Sequence, residues 1–211
     1  MHVHLREPGF EHKEDIASGT RAAAKGGFTG VCAMPNTNPV ADNGVVISYM
    51  IARAAEVGKC RVYPSGAMSK GLKGEIISEM GDMVARGAVA FTDDGRGIQE
   101  AGMMRRVMDY GKMFGKVFRP LPGRKPGRCW PGQRGVVPRV LVCSGWLRRA
   151  KSQIARAHHD VRADGMPAAY SAHLTAVGLD MVRAAKEKGL PVTCEVTPHH
   201  PFLRGRHRFY L

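Results

Sequence analysis

The residues best suited to chemistry are His2 and His4, in the opening run Met1-His2-Val3-His4-Leu5-Arg6. Side chains alternate faces along an extended chain, so the two imidazoles project together. Each neutral ring offers a nitrogen lone pair, which makes the pair a natural seat for a cation such as zinc. A His-x-His also occurs in ordinary strands and tag remnants, so the pair alone does not decide. Arg6 adds a guanidinium that can hold a substrate carboxylate over a metal by a bidentate contact. A surface pairing with Glu7 or Glu11 is the other reading. Further along, Thr92-Asp93-Asp94-Gly95 supplies carboxylates that can bind metal or carry a proton. Asp93 reads as an Asx-type turn ahead of Gly95.

Elements must bring these distant residues together. Residues 14–25 are Ala-rich and read as a helix closed by Gly26-Gly27. Residues 28–34 read as a buried strand that stops at Pro35-Asn36-Thr37-Asn38-Pro39. Residues 45–57 have helical spacing and 60–64 read as a short strand. A helix is expected over 75–86, with Ile76, Ile77, Met80, Met83 and Val84 on one side. A strand at 88–91 and a helix at 98–114 follow. Strand then helix, repeated with short polar loops, indicates a parallel βα sheet. Polar clusters at successive strand ends are what a βα barrel uses for function. A doubly wound open sheet is the runner-up, although no glycine-rich phosphate loop follows the first strand.

The run His2-Val3-His4-Leu5-Arg6-Glu7-Pro8-Gly9 resembles the opening signature of dihydroorotase, in the amidohydrolase superfamily. The resemblance extends over most of residues 1–116 and returns over 173–203. It implies an α/β fold: a partial TIM-like (β/α) barrel of the metal-dependent hydrolase type, carrying a disordered or irregular basic insert. It also implies the reversible conversion of N-carbamoyl-L-aspartate to dihydroorotate in pyrimidine biosynthesis, with two divalent cations, usually zinc. On the matching positions, His2 and His4 bind the first metal and Asp94, in Phe-Thr-Asp-Asp-Gly, bridges to a second. His173 binds that second metal, although its His-Leu-Thr context departs from the family's His-Val-Ser-Thr. Arg6 and Asn36, in Met-Pro-Asn-Thr-Asn-Pro, grip the substrate carboxylate. His199-His200 resembles a Thr-Pro-His-His motif and reads as strand-end support, and His12 as a solvated residue at a helix start. The family's third metal histidine has no counterpart, and its catalytic aspartate belongs to strands beyond Leu211. About five or six barrel strands are expected, with open edges, so the chain is expected to fold poorly and to be inactive alone.

The texture changes after Lys116. Residues 118–149 carry Arg119, Arg124, Lys125, Arg128, Arg134, Arg139, Arg148 and Arg149 and no acid, with five prolines that rule out a long helix. A basic arm using Trp130 and Trp146 to stack on nucleic acid is one reading, and a disordered loop is another. The favoured reading treats 117–172 as an out-of-frame product. With codons chosen permissively, reading one base over can give Ser-Ala-His-Cys-Arg-Glu-Gly-Asn and later Leu-His-Ile-Gln-His, both family-like. His158-His159 fall in that stretch and take no role. The expected organisation is therefore 1–116 barrel, 117–172 irregular basic segment, 173–203 returning barrel with a helix over 175–186 and a strand over 190–196, and 204–211 basic tail. The gene's codons test the frame reading directly.

Bulk properties narrow the partners. A chain of 211 residues, 44% hydrophobic and 24% charged, can bury one substantial core. No apolar run suits a bilayer span and no signal peptide is expected. Five scattered cysteines without a Cys-x-x-Cys pair suit a reduced, cytoplasmic setting. The net charge of +14 concentrates in the basic segment, so nucleic acid is not the expected partner. The expected partners are the small-molecule substrate and either a second copy in a homodimer or aspartate carbamoyltransferase. The alternatives are a noncatalytic partner subunit of that enzyme, or a nucleic-acid-binding protein using the basic segment.

Overall fold

A computed structural model describes residues 2–119, 168–170 and 176–195. It contains a parallel sheet of seven strands: β1 (His2–Val3), β2 (Gly30–Ala33), β3 (Arg61–Gly66), β4 (Ala90–Thr92), β5 (Val117–Arg119), β6 (Ala168–Tyr170) and β7 (Val192–Cys194). Helices α1 (Ile16–Lys25), α2 (Gly44–Val57), α3 (Met80–Ala85) and α4 (Ala101–Gly111) separate the first five strands, and α5 (Ala176–Glu187) precedes β7. The strands pair in chain order from β1 to β7, each parallel to the next. A doubly wound sheet reverses order at a switch point. This one does not, and it curls as part of a (β/α) barrel. The strand count exceeds the expected five or six, because β5 and β6 lie at the two ends of the basic segment. The rest of that segment lies outside the described residues, as does the 204–211 tail.

Local sequence explains the helix ends. Asp15 caps α1, its carboxylate accepting from the Ser18 amide at 2.6 Å, and Ser18 answers the Asp15 amide in a capping box. Asn43 caps α2 by accepting from the amides of Val45 and Val46. His12 precedes α1 in a turn instead of starting a helix, and it is exposed. The expected helix over 75–86 shortens to α3. Residues before it join the loop after β3 through a Ser69–Ile77 bridge, with Lys70 N–H donating to the Ile76 carbonyl at 2.9 Å. That pairing leaves Ile76 62% exposed, off the apolar side it was expected to share.

The core lies between sheet and helices, with Val31, Ile47, Met50, Met83, Phe91 and Val107 buried in one cluster. Several of its members are methionines, whose unbranched thioethers fill irregular gaps between helices and sheet. Leu5 is buried under α1, and a Cβ on Gly19 would sit 2.5 Å from Leu5 Cδ2, so an added methyl there would have to push the Leu5 side chain aside. Among the described residues Cys32, Cys60 and Cys194 stand outside any disulfide, and no helix is long and apolar enough to cross a membrane.

Candidate metal centre

The site forms where the ends of β1, β2, β4 and β7 meet. Burial alternates along the first segment: Leu5 and Glu7 are buried, while His2, His4 and Arg6 are only half-buried on the other side. The rings of His2 and His4 stand 4.9 Å apart, centroid to centroid. Their Nε2 atoms are 3.1 Å apart. Asp94, just past β4, brings Oδ2 to 3.2 Å from His4 Nε2 and 3.7 Å from His2 Nε2. Donors around a tetrahedral zinc, each about 2.0–2.1 Å from it, sit roughly 3.3 Å from one another. The three side chains therefore hold the spacing of a metal's inner ligands.

The hydrogen bonds behind the rings say more. His2 Nδ1 lies 2.8 Å from Glu195 Oε1, and His4 Nδ1 lies 3.0 Å from Asn36 Oδ1. Carboxylate and amide oxygens only accept, so each Nδ1 carries a proton, and in the neutral ring each Nε2 carries a lone pair. Two lone pairs and a carboxylate then converge with no proton among those three contacts to join them. Such a cluster of acceptors in a half-buried cleft calls for a cation, and the donor set fits a divalent metal. Burial lowers the pKa of His4; the Asn36 hydrogen bond and the Asp94 charge raise it, and the nearby charges of His2 and Arg6 lower it again. The net effect favours the neutral ring a metal needs.

The supporting loops are tied to this cluster. Asp93 is fully buried. Its carbonyl accepts from the Arg96 and Gly97 amides in the turn, as expected of that position. Its carboxylate, however, crosses to the loop after β3 instead of closing an Asx turn. There it accepts from the Met68 amide at 2.8 Å, the Ser69 amide at 3.0 Å and the Ser69 hydroxyl. Burial raises the Asp93 pKa against the pull of those donors. Glu7 is also buried rather than paired with Arg6. It accepts from the Ile16 amide (2.8 Å), Tyr49 Oη (3.0 Å) and Arg53 Nε (2.9 Å). Arg6 has a left-handed backbone, φ 61°, which turns the chain sharply after Leu5.

Of the residues singled out in the sequence, His2, His4, Asp94 and Asn36 come together, and Arg6 lies near enough for its charge to act on His4. Asn36 touches a histidine, a contact its loop sequence did not suggest. His173 and His199-His200 lie outside the described residues. Glu195 and Glu7 were missed. Glu195 follows β7, and the rule that barrel function gathers at strand ends points to it. For Glu7 only the burial alternation from Leu5 onward gives a signal.

A sequence model of the family described as "Dihydro-orotase-like" matches residues 1–118, more than half of the chain. A protein named dihydroorotase from Pelotomaculum thermopropionicum is 44% identical over 202 residues, covering 95% of this chain and 47% of that protein. Another of that name, from Syntrophotalea carbinolica, is 43% identical over 207 residues, covering 95% and 48%. The chain thus spans about half the length of the curated relatives it matches. Among solved structures, an L-hydantoinase from Arthrobacter aurescens superposes with a TM-score of 0.71 at 16% identity, over 94% of this chain and 46% of that one. An inactive dihydroorotase-like domain of a Chaetomium thermophilum CAD-like multifunctional protein superposes at 0.59 with 14% identity, over 90% and 48%. At these identities the structural likeness speaks for the fold alone.

Proposed function

The chain belongs to the dihydroorotase-like family, and from that premise we propose that it carries the first metal site of a cyclic amidohydrolase that interconverts N-carbamoyl-L-aspartate and dihydroorotate. The observation that carries the reading is the convergence of His2 Nε2, His4 Nε2 and Asp94 Oδ2 as three acceptors within metal-ligand spacing. Zinc is the proposed ion, since two imidazoles and a carboxylate are a common donor set for catalytic zinc. When bound, the ion supplies Lewis acidity, polarising the scissile carbonyl and making water nucleophilic near neutral pH. Asp94 is the proposed bridge to a second cation, with His173 as that cation's ligand.

The protein's own groups do the positioning. Asn36 and Glu195 hold the two rings with their lone pairs inward. The Arg6 guanidinium, whose charge reaches His4, suits a bidentate grip on the carboxylate that both proposed substrates carry. Asn36 is the proposed second contact to that carboxylate, beside its hydrogen bond to His4. The test is metal uptake by the full chain: Co2+ or Zn2+ binds in stoichiometric amount, and His2→Ala, His4→Ala and Asp94→Asn each abolish it or weaken it beyond the 10–100-fold that losing an outer partner costs, roughly. Stoichiometric uptake unchanged in all three variants refutes the site.

A second reading is a noncatalytic, dihydroorotase-like partner of aspartate carbamoyltransferase; one neighbour of the same fold is itself an inactive dihydroorotase-like domain of a multifunctional protein. Co-purification with that enzyme, without turnover of dihydroorotate in either direction, is its signature. Turnover that depends on Arg6 rules it out.

A further inference from the structure

β1 and β7 are the two outer strands of the sheet, and among the described residues no backbone ladder joins them. Their ends nevertheless meet, through the 2.8 Å contact of His2 Nδ1 with Glu195 Oε1. The contact spans 193 positions of sequence. It is also sheltered, His2 being 19% and Glu195 35% exposed at the side chain. A carboxylate accepting from Nδ1 fixes three things about an imidazole: which nitrogen carries the proton, which way the ring faces, and how much electron density reaches the other nitrogen. Here the other nitrogen is the one aimed at His4 and Asp94.

We propose that Glu195 is a positioning residue for the metal centre, holding His2 in the Nδ1–H form with Nε2 presented to the ion, and so coupling metal occupancy to the seating of β7 beside β1. This rests on the metal reading above and deepens it. Asn36 does the corresponding job for His4 with a neutral amide. The two rings are therefore not equivalent. His2 has an anionic partner that strengthens its donor nitrogen, and among the described residues His4 has a neutral amide in that place.

The experiment uses the full chain, stripped of metal and titrated with Co2+, whose visible absorption reports coordination geometry as well as affinity. Glu195→Ala is expected to weaken Co2+ binding about 10–100-fold and to alter the visible band. Glu195→Gln, whose amide oxygen still accepts from Nδ1, is expected to fall between Glu195→Ala and the unmodified chain. Far-ultraviolet circular dichroism and the unfolding midpoint of the metal-free variants are expected to match those of the unmodified chain. Equal affinity and an unchanged band in Glu195→Ala overturn the proposal while leaving the metal site standing, and so does a loss that merely tracks the unfolded fraction. Absence of any Co2+ band in the unmodified chain overturns the metal reading itself, and the proposal with it.

Discussion

At His4, metal and proton compete for one lone pair. Burial is the largest influence on this ring and lowers its pKa from the ordinary 6.5, outweighing the Asn36 hydrogen bond and the Asp94 charge. A lowered value means the unfolded chain takes up the proton first as pH falls. The neutral ring's contribution to stability is therefore complete above 6.5 and is lost as pH drops from there through the folded value. The same sign governs uptake of metal, since a neutral imidazole is the ligand. The His4 contribution to the fall of Co2+ affinity, measured from about pH 8 downward, is expected below 6.5. Arg6→Gln removes a charge that disfavours the protonated ring, so the fall should move to higher pH. A fall that starts well above pH 7, unmoved by Arg6→Gln, contradicts this. At this scale the sequence is legible where chemistry and spacing coincide: His2, His4 and Asp94 are side chains whose commonest shared purpose is a cation. It is illegible where a residue acts through a distant neighbour. Nothing local to Glu195 or Asn36 reveals that each stands behind a ring, because that contact exists only once the strands are arrayed.

Glu7 shows how an element is tied to the site. Its carboxylate caps α1 through the Ile16 amide and holds α2 through Tyr49 and Arg53, directly after the arginine whose charge reaches His4. Glu7→Ala removes three contacts from a buried position 3% exposed. It should cost about 2–3 kcal/mol in urea unfolding, as loss of a buried, charge-assisted network does. Arg53→Ala should cost less, because Arg53 is 34% exposed at its side chain and Glu7 keeps two donors. Equal costs would mean that the ion pair, and not the cap, dominates. The turn that follows leaves little slack: Gly9 has φ 92°, and a Cβ there would lie 1.9 Å from the Asn38 carbonyl oxygen. This packs the loop after β1 against the loop that carries Asn36. The caps Asp15 and Asn43 went unread, but the end of α1 could be read from sequence because Gly26-Gly27 signals locally. The segment before α3 could not. Its apolar spacing suits a helix, but pairing with the loop after β3 satisfies the same backbone groups across a longer distance.

For the molecule as a whole, two opposed forces follow from sheet order and charge. Alternation of strand and helix made the parallel sheet legible, whereas the number of strands was not, because β5 and β6 flank a basic stretch with no periodicity to read. Among the described residues the sheet has β1 and β7 as outer strands, and unpaired strand edges favour pairing with another chain. Both are short, two and three residues, which limits the strength of such contacts. Against them stands a net charge of +14, which keeps copies apart at low ionic strength. Salt shortens the screening length from about 10 Å at 0.1 M to about 3 Å at 1 M. Edge pairing should therefore strengthen with salt: the mass from light scattering, after nuclease treatment, is expected to rise between about 0.05 M and 1 M salt. Binding of the basic segment to an anionic polymer has the opposite sign, since counterion release makes it weaken as salt rises. A mass that falls with added salt would replace edge pairing by a polyanionic partner. A mass constant at that of one chain would mean the curl that brings Glu195 to His2 also shields both edges, making the closing contact of the metal site the closing contact of the sheet.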